Sequence, residues 1–204
     1  MNCRIAPYLA TCLLVSLPMV RADEWTEIAL TNPSFESGEG VPDGWTIYKG
    51  NTVRRSHPSV IAWDKEFART GERSVFIRKE DSGPIRWRSQ GSIPVTLGHT
   101  YRLECWVRSS GSGKYATATL TASSAVSGPD GKPWLVTKEF AAGDTPNPDW
   151  HRVSLEFTPP DWVKHFTISF ANSMAARDGT AIEFWFDDLS LHEKSHAQAP
   201  TIAP

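Results

Sequence analysis

Residues 100–109 read TYRLECWVRS, and the alternation in this stretch decides the fold class. In an extended chain successive side chains point to opposite sides. Tyr101, Leu103, Cys105 and Val107 therefore share one face, and Arg102, Glu104, Trp106 and Arg108 share the other. The first row is apolar and predicts a core face. The second mixes charges with an indole and predicts a face turned away from the core.

The same two-residue period recurs outward from this stretch. In AIEFWFDD, residues 181–188, Phe184 and Phe186 point inward while Glu183, Trp185 and Asp187 point outward. Strands are also expected at EIAL, WTIY, SVIAW, SVFIR, IRWRSQ, YATATLTA, WLVTKEF, HRVSLEF and HFTISF, and no segment holds a 3.6-residue apolar stripe. Between them lie GEGVPDG, RTGE, SSGSGK, SGPDGKP and AGDTPNPD, which are turn chemistry. Many short strands with Gly and Pro punctuation predict an all-β chain, a jelly-roll β-sandwich of two antiparallel sheets.

The first 22 residues have a short basic start, an apolar run and a small-residue site at Val20-Arg21-Ala22. This is the layout of a signal peptide cleaved after Ala22, so a secreted or periplasmic chain is expected; a membrane anchor is the alternative. Removing the leader takes Arg4 and Arg21 and no acid, moving the net charge from −2 to about −4. A mildly acidic chain without a long basic run is a poor nucleic-acid binder. Only Cys105 remains beyond the leader, which excludes an intramolecular disulfide and predicts a buried, inert thiol. Nothing after residue 22 is apolar for long enough to span a membrane. The domain is expected over residues 23–192, with a disordered tail at 193–204.

Nine tryptophans are more than a sandwich core of this size needs. The surplus predicts indoles on a surface built to stack on something flat, beside charges that exchange hydrogen bonds with hydroxyls. Trp87, Trp106, Trp134 and Trp185 are the candidate platforms, with Arg86, Arg88, Glu104 and Glu183 as polar partners. The alternative is that loops crossing the sheet cover these rings. The motifs GxSxG and HExxH are absent, no histidines sit at metal-ligand spacing, and GSGK at 111–114 reads as a hairpin turn. Glu104 and Glu183 are the best candidate for a hydrolytic carboxylate pair.

NPSFESG…PDGW near the start, TGERSVFI, SIPVTLGHTYRLECWVR, DWHRVSLEFTPP and FWFDDLSL form an ordered set over residues 30–191. In that order they resemble the carbohydrate-binding modules of families four, nine and twenty-two, which share a galactose-binding-like jelly roll. The resemblance implies a structural calcium between the first and last strands, held by Glu36, a carbonyl such as that of Ser34, and Asp187 or Asp188. A hard cation would relieve the repulsion of acids brought together from both ends of the chain. Trp45 and Trp150 are implied to be core residues. The expected function is non-catalytic binding of a poly- or oligosaccharide, with a separately encoded carbohydrate-active enzyme as a possible partner. A small glycoside hydrolase or lyase, and a protein-interaction or envelope module without sugar binding, are the alternatives.

Overall fold

The computed structural model describes residues 24–49, 60–79, 85–110, 117–141, 148–172 and 182–195. The expected leader, the GSGK turn and the tail beyond Ser195 lie outside these residues. The described strands are β1 (Thr26–Ile28), β2 (Gly38–Glu39), β3 (Val41–Pro42), β4 (Trp45–Lys49), β5 (Val60–Asp64), β6 (Ser74–Lys79) and β7 (Ile85–Ser89). They continue as β8 (Ile93–Pro94), β9 (Thr100–Ser110), β10 (Thr117–Ser127), β11 (Pro133–Ala141), β12 (His151–Phe157), β13 (His165–Asn172) and β14 (Ile182–Lys194). Every expected strand is present. No helix among the described residues is long and apolar enough to cross a membrane.

Twelve of the strands form two antiparallel six-stranded sheets, and β2 and β3 pair separately with each other. The first runs β12-β9-β14-β6-β5, with β1 added to β14; the second runs β11-β10-β13-β7-β4, with β8 added to β13. This is the jelly-roll sandwich expected from the period-two pattern. Tyr101, Leu103, Cys105 and Val107 are fully buried, as are Phe170 and Phe186. Phe170 of the second sheet stacks on Phe186 of the first with ring centroids 5.0 Å apart, and on Trp45 at 5.3 Å. Burial pushes the Cys105 thiol strongly up, and the nearby Asp187 adds to this, so it is packing rather than chemistry.

The first sheet is built around β9 and β14. Asp187 pairs with Trp106 and Ser190 with Glu104, so three steps on β14 match two on β9: a β-bulge. Asp188 holds it with φ +46°, a left-handed conformation that Asp tolerates better than most residues. Before the bulge Phe184 and Phe186 are buried, and after it Leu189 and Leu191. The extra residue at the Asp pair is what keeps both pairs in the core.

The stretch NPSFESG packs against this bulge. The Leu189 N–H donates to the Pro33 carbonyl at 2.9 Å. Phe35, fully buried at φ +59°, packs edge-on to Trp45 with centroids 5.1 Å apart. A bulky residue in that region is strained, and its carbonyl accepts the Trp63 indole N–H at 2.6 Å, which helps hold it there.

The end of the domain differs from expectation. β14 continues to Lys194, pairing Glu193 with Tyr101 and Lys194 with Thr100. On its other side Glu193 pairs with Thr26 of β1, and its carboxylate lies 3.0 Å from His99. Pairing on both edges carries the strand past residue 192, where side-chain polarity alone marked the start of a tail.

Candidate binding groove

On the outer face of the first sheet, Trp106 and Trp185, expected to form open platforms, are both covered by other side chains. Trp185 does point away from the core, yet it is only 4% exposed. Phe67 stands edge-on to it at 4.9 Å, Phe76 lies tilted against it at 5.0 Å, and its indole N–H donates to Asp64 at 2.7 Å. The Arg69 guanidinium sits 3.7 Å from the centre of the Trp106 ring. Both covering side chains belong to the segment joining β5 to β6. Alternation told which way the indoles point, not what crosses above them.

That segment is pinned from three sides. The Asp187 carboxylate accepts the backbone N–H of Arg69 at 2.7 Å and of Thr70 at 3.3 Å. Asp188 takes the Arg69 guanidinium and the Thr70 hydroxyl, each at 2.6 Å. Glu36 accepts the N–H groups of Glu72 and Arg73 at 3.0 and 3.1 Å. Gly71 is required here: its φ is +64°, and a Cβ would come within 2.4 Å of the Glu36 carboxyl carbon.

The residues expected around a calcium thus have other contacts. Glu36 meets one end of the turn at 69–73, Asp187 and Asp188 the other, and Ser34 stays in the turn closed by the Phe35 N–H on the Asn32 carbonyl. No group of three or more metal-ligating side chains comes together among the described residues. Calcium takes six to eight oxygens. Here the carboxylates face N–H groups and a guanidinium. Asp187 is fully buried and pushed up to about 7, chiefly by burial, with the Arg69 N–H opposing and the Asp188 charge adding.

Glu104 and Glu183 share the outer face but not a site. Glu183 pairs with Ser110, six residues along β9 from Glu104, which sets the two acids roughly 20 Å apart at ~3.3 Å per residue. Carboxylates that cleave a glycosidic bond sit about 5–9.5 Å apart. Glu104 instead lies 3.7 Å from Arg152, and Glu183 accepts the Ser110 hydroxyl.

The outer face of the second sheet is different. The strand registers set its side chains in rows. One row runs Glu139, Thr119, Ala171, Arg86, Tyr48; the next runs Thr137, Thr121, Ser169, Arg88, Thr46. Leu135, Ser123 and Thr167 begin a third. Small hydroxyl residues from β10 and β13 make the floor, and larger side chains from β7, β4 and β11 make the walls. The result is a groove of about 440 Å³. Its walls stand on β11 and β7, three strand spacings apart, or roughly 14 Å at ~4.8 Å per step.

Of the sequence candidates, Arg86 and Arg88 line this groove. Trp87 between them does not. Its side chain points into the core with no exposure, and its indole N–H donates to the Phe76 carbonyl at 3.3 Å. In IRWRS the alternation that sends the arginines out sends the tryptophan in. Trp134 is at the groove's rim but packs inward against Phe157, centroids 5.5 Å apart. Of the nine tryptophans, all described, none is exposed. Tyr48, 46% exposed with the Arg86 guanidinium 5.3 Å from its ring, is the aromatic presented to solvent in the groove. It was legible in WTIYK, where Trp45 and Ile47 point inward.

Three other spaces are less suited to a ligand, among them one of about 500 Å³ around Trp25 that is lined by Glu24, Glu27 and Glu193. A cavity of about 170 Å³ beside β1 is lined by no charged side chain. One of about 410 Å³ beside Trp185 is walled by Asp64, Glu66 and Glu183 against Arg78 and Arg108.

A two-sheet jelly roll with an open, hydroxyl-floored groove across one outer face defines a ligand-binding β-sandwich module. The family comparison agrees: the chain belongs to the carbohydrate binding domain family, whose profile matches residues 28–174. It is similar in fold to the module TmCBM61, solved with β-1,4-galactotriose, at 19% identity, covering 79% of this chain and 95% of that one with a TM-score of 0.51. It is also similar to the CBM22-1 xylan-binding domain of Xyn10C from Paenibacillus barcinonensis, at 14% identity, covering 86% and 98%, TM-score 0.53. A structure described as CBM4 shares 15% identity, covering 81% and 100%, TM-score 0.53. A comparison with curated proteins finds no match.

Proposed function

We propose that this chain is a secreted or periplasmic, non-catalytic glycan-binding module, and that the glycan lies in the groove on the outer face of the second sheet. The observation that carries the reading is the groove's composition. The ring of Tyr48 gives a flat apolar contact, Arg86 and Arg88 give charged donors, and Ser123 and Ser169 give hydroxyls able to donate or accept. Structures of similar fold solved with or named for galactotriose and xylan support the class of ligand. The walls are side chains of paired strands, so the site needs little rearrangement to bind. Binding alone fits the separation of Glu104 from Glu183, the one carboxylate pair singled out for hydrolysis. Acting beside a separately encoded carbohydrate-active enzyme is the role in which such a module serves catalysis. Calcium has no part in binding on this reading.

Affinity electrophoresis against soluble glycans, with reducing-end release measured in parallel, tests the reading. Retardation without release is the expected result. Release would make the chain an enzyme, and neither retardation nor release across the panel would leave a protein-interaction module.

A further inference from the structure

We infer that the groove is selective for an acidic glycan, one bearing carboxylates such as those of uronic-acid residues, with Arg86 and Arg88 as the groups that read the charge. The inference rests on the glycan-binding reading of the same groove and narrows it to a ligand class.

The charge distribution is the first observation. Arg86 and Arg88 are the charged side chains that line the groove, and no Asp or Glu lines it among the described residues. The acid in the same row, Glu139, stands on the edge strand beyond Thr119 and Ala171. That places it about 14 Å from Arg86 between backbones, at ~4.8 Å per strand. This is local: the chain as a whole is acidic, with a net charge of −2.

The second observation is how these arginines are held. Three other guanidinium groups meet carboxylates: Arg69 meets Asp188 at 2.6 Å, Arg102 meets Glu156 at 2.7 Å, and Arg152 meets Glu104 at 3.7 Å. Arg86 and Arg88 have no such ion pair among the described residues. They project from the same side of β7, about 6.6 Å apart at ~3.3 Å per residue, where their charges repel. The Nε of Arg86 is buried with no hydrogen-bond partner among the described residues. A buried donor without an acceptor is costly, and a ligand that supplies one recovers that cost.

A carboxylate answers both features. It neutralises the pair and accepts two parallel N–H bonds from one guanidinium. Tyr48 under Arg86 steadies the fork, and the hydroxyls of Ser123 and Ser169, which line the groove, remain for the ring hydroxyls of the same sugar. A neutral glycan would lean on stacking, and this groove offers a single exposed aromatic ring for that.

The test is affinity electrophoresis of the full chain in polygalacturonate, alginate and glucuronoxylan, each beside its carboxyl-reduced counterpart. At least one acidic polymer should retard the protein, its reduced form should bind at least tenfold more weakly, and added salt should weaken the acidic case more. Arg88→Gln and Arg86→Gln should each weaken acidic binding about tenfold with an unchanged melting curve, and Arg88→Lys should restore part of it. Equal retardation by acidic and reduced polymers, or retardation by neutral glycans alone, overturns the charge selectivity and leaves the glycan-binding reading standing. No retardation by any glycan overturns both.

Discussion

Phe67 stands edge-on to Trp185, ring centroids 4.9 Å apart and planes at 76°, and this contact covers the indole on the outer face of the first sheet. Four tryptophans, Trp25, Trp63, Trp106 and Trp185, have an arginine over or near their rings; Arg102, Arg73 and Arg69 lie within 4.0 Å of the first three and Arg108 5.6 Å from the last. Such contacts each contribute about 0.5–2 kcal/mol. Three of these pairs fasten a segment outside the strands to the first sheet, and the open groove lies on the second.

Trp185→Ala should therefore damage the fold and spare the ligand. Removal of a buried indole costs about 3–5 kcal/mol, so the melting temperature should drop sharply, measured by calorimetry. At a temperature where the variant remains folded, glycan affinity should stay within about twofold of wild type. A large loss of affinity in a folded variant would return the site to the first sheet.

Tyr48→Ala should do the opposite. The side chain is half in solvent and carries no core contact, so the melting temperature should hold within about 2 °C. Affinity by calorimetric titration should fall about tenfold, roughly 1.4 kcal/mol. Unchanged affinity would remove Tyr48 from the site.

The turn at residues 69–73 is held by carboxylates on N–H donors, and chelation should leave the melting temperature where it was. Glu36→Gln should lower stability by about 0.5–1.5 kcal/mol through the two N–H groups that lose a charged acceptor. A melting temperature that falls with chelator and returns with calcium would show that a cation holds these acids after all.

The Asp187 carboxyl also predicts a pH dependence. Its folded value, about 7, lies above that of an unfolded carboxylate, about 3.9. The folded state therefore holds the proton more tightly, and this contribution to stability is complete below pH 4 and lost as pH rises through 7. Asp187→Asn should flatten that part of the stability profile, followed by urea unfolding between pH 4 and 8. Parallel profiles for the two proteins would contradict the assignment.

What the sequence made legible follows from the range of the interactions. TYRLECWVRS exposes its own core face because a period of two is a local property. The same rule, applied to IRWRS, places Trp87 inward between outward arginines; choosing it as a platform by residue type overrode that rule. The closure of Trp185 was not legible, because Asp187 binds Arg69 and Thr70 across more than a hundred residues. Nor was the groove, whose rows exist only once β11, β10, β13, β7 and β4 are set in register. The bulge that turns Asp187 and Asp188 onto one segment is written as FWFDDLSL, yet its contacts come from the far side of the domain.

The most direct test is to titrate an ¹⁵N-labelled chain with a glycan that retards it and to map the amide shifts. The shifts are expected to gather on β10, β13 and β7, around Thr121, Ser169 and Arg88, and to leave Trp106 and Trp185 unmoved. Shifts centred on β9 and β14 with β7 and β13 silent would contradict the placement of the site.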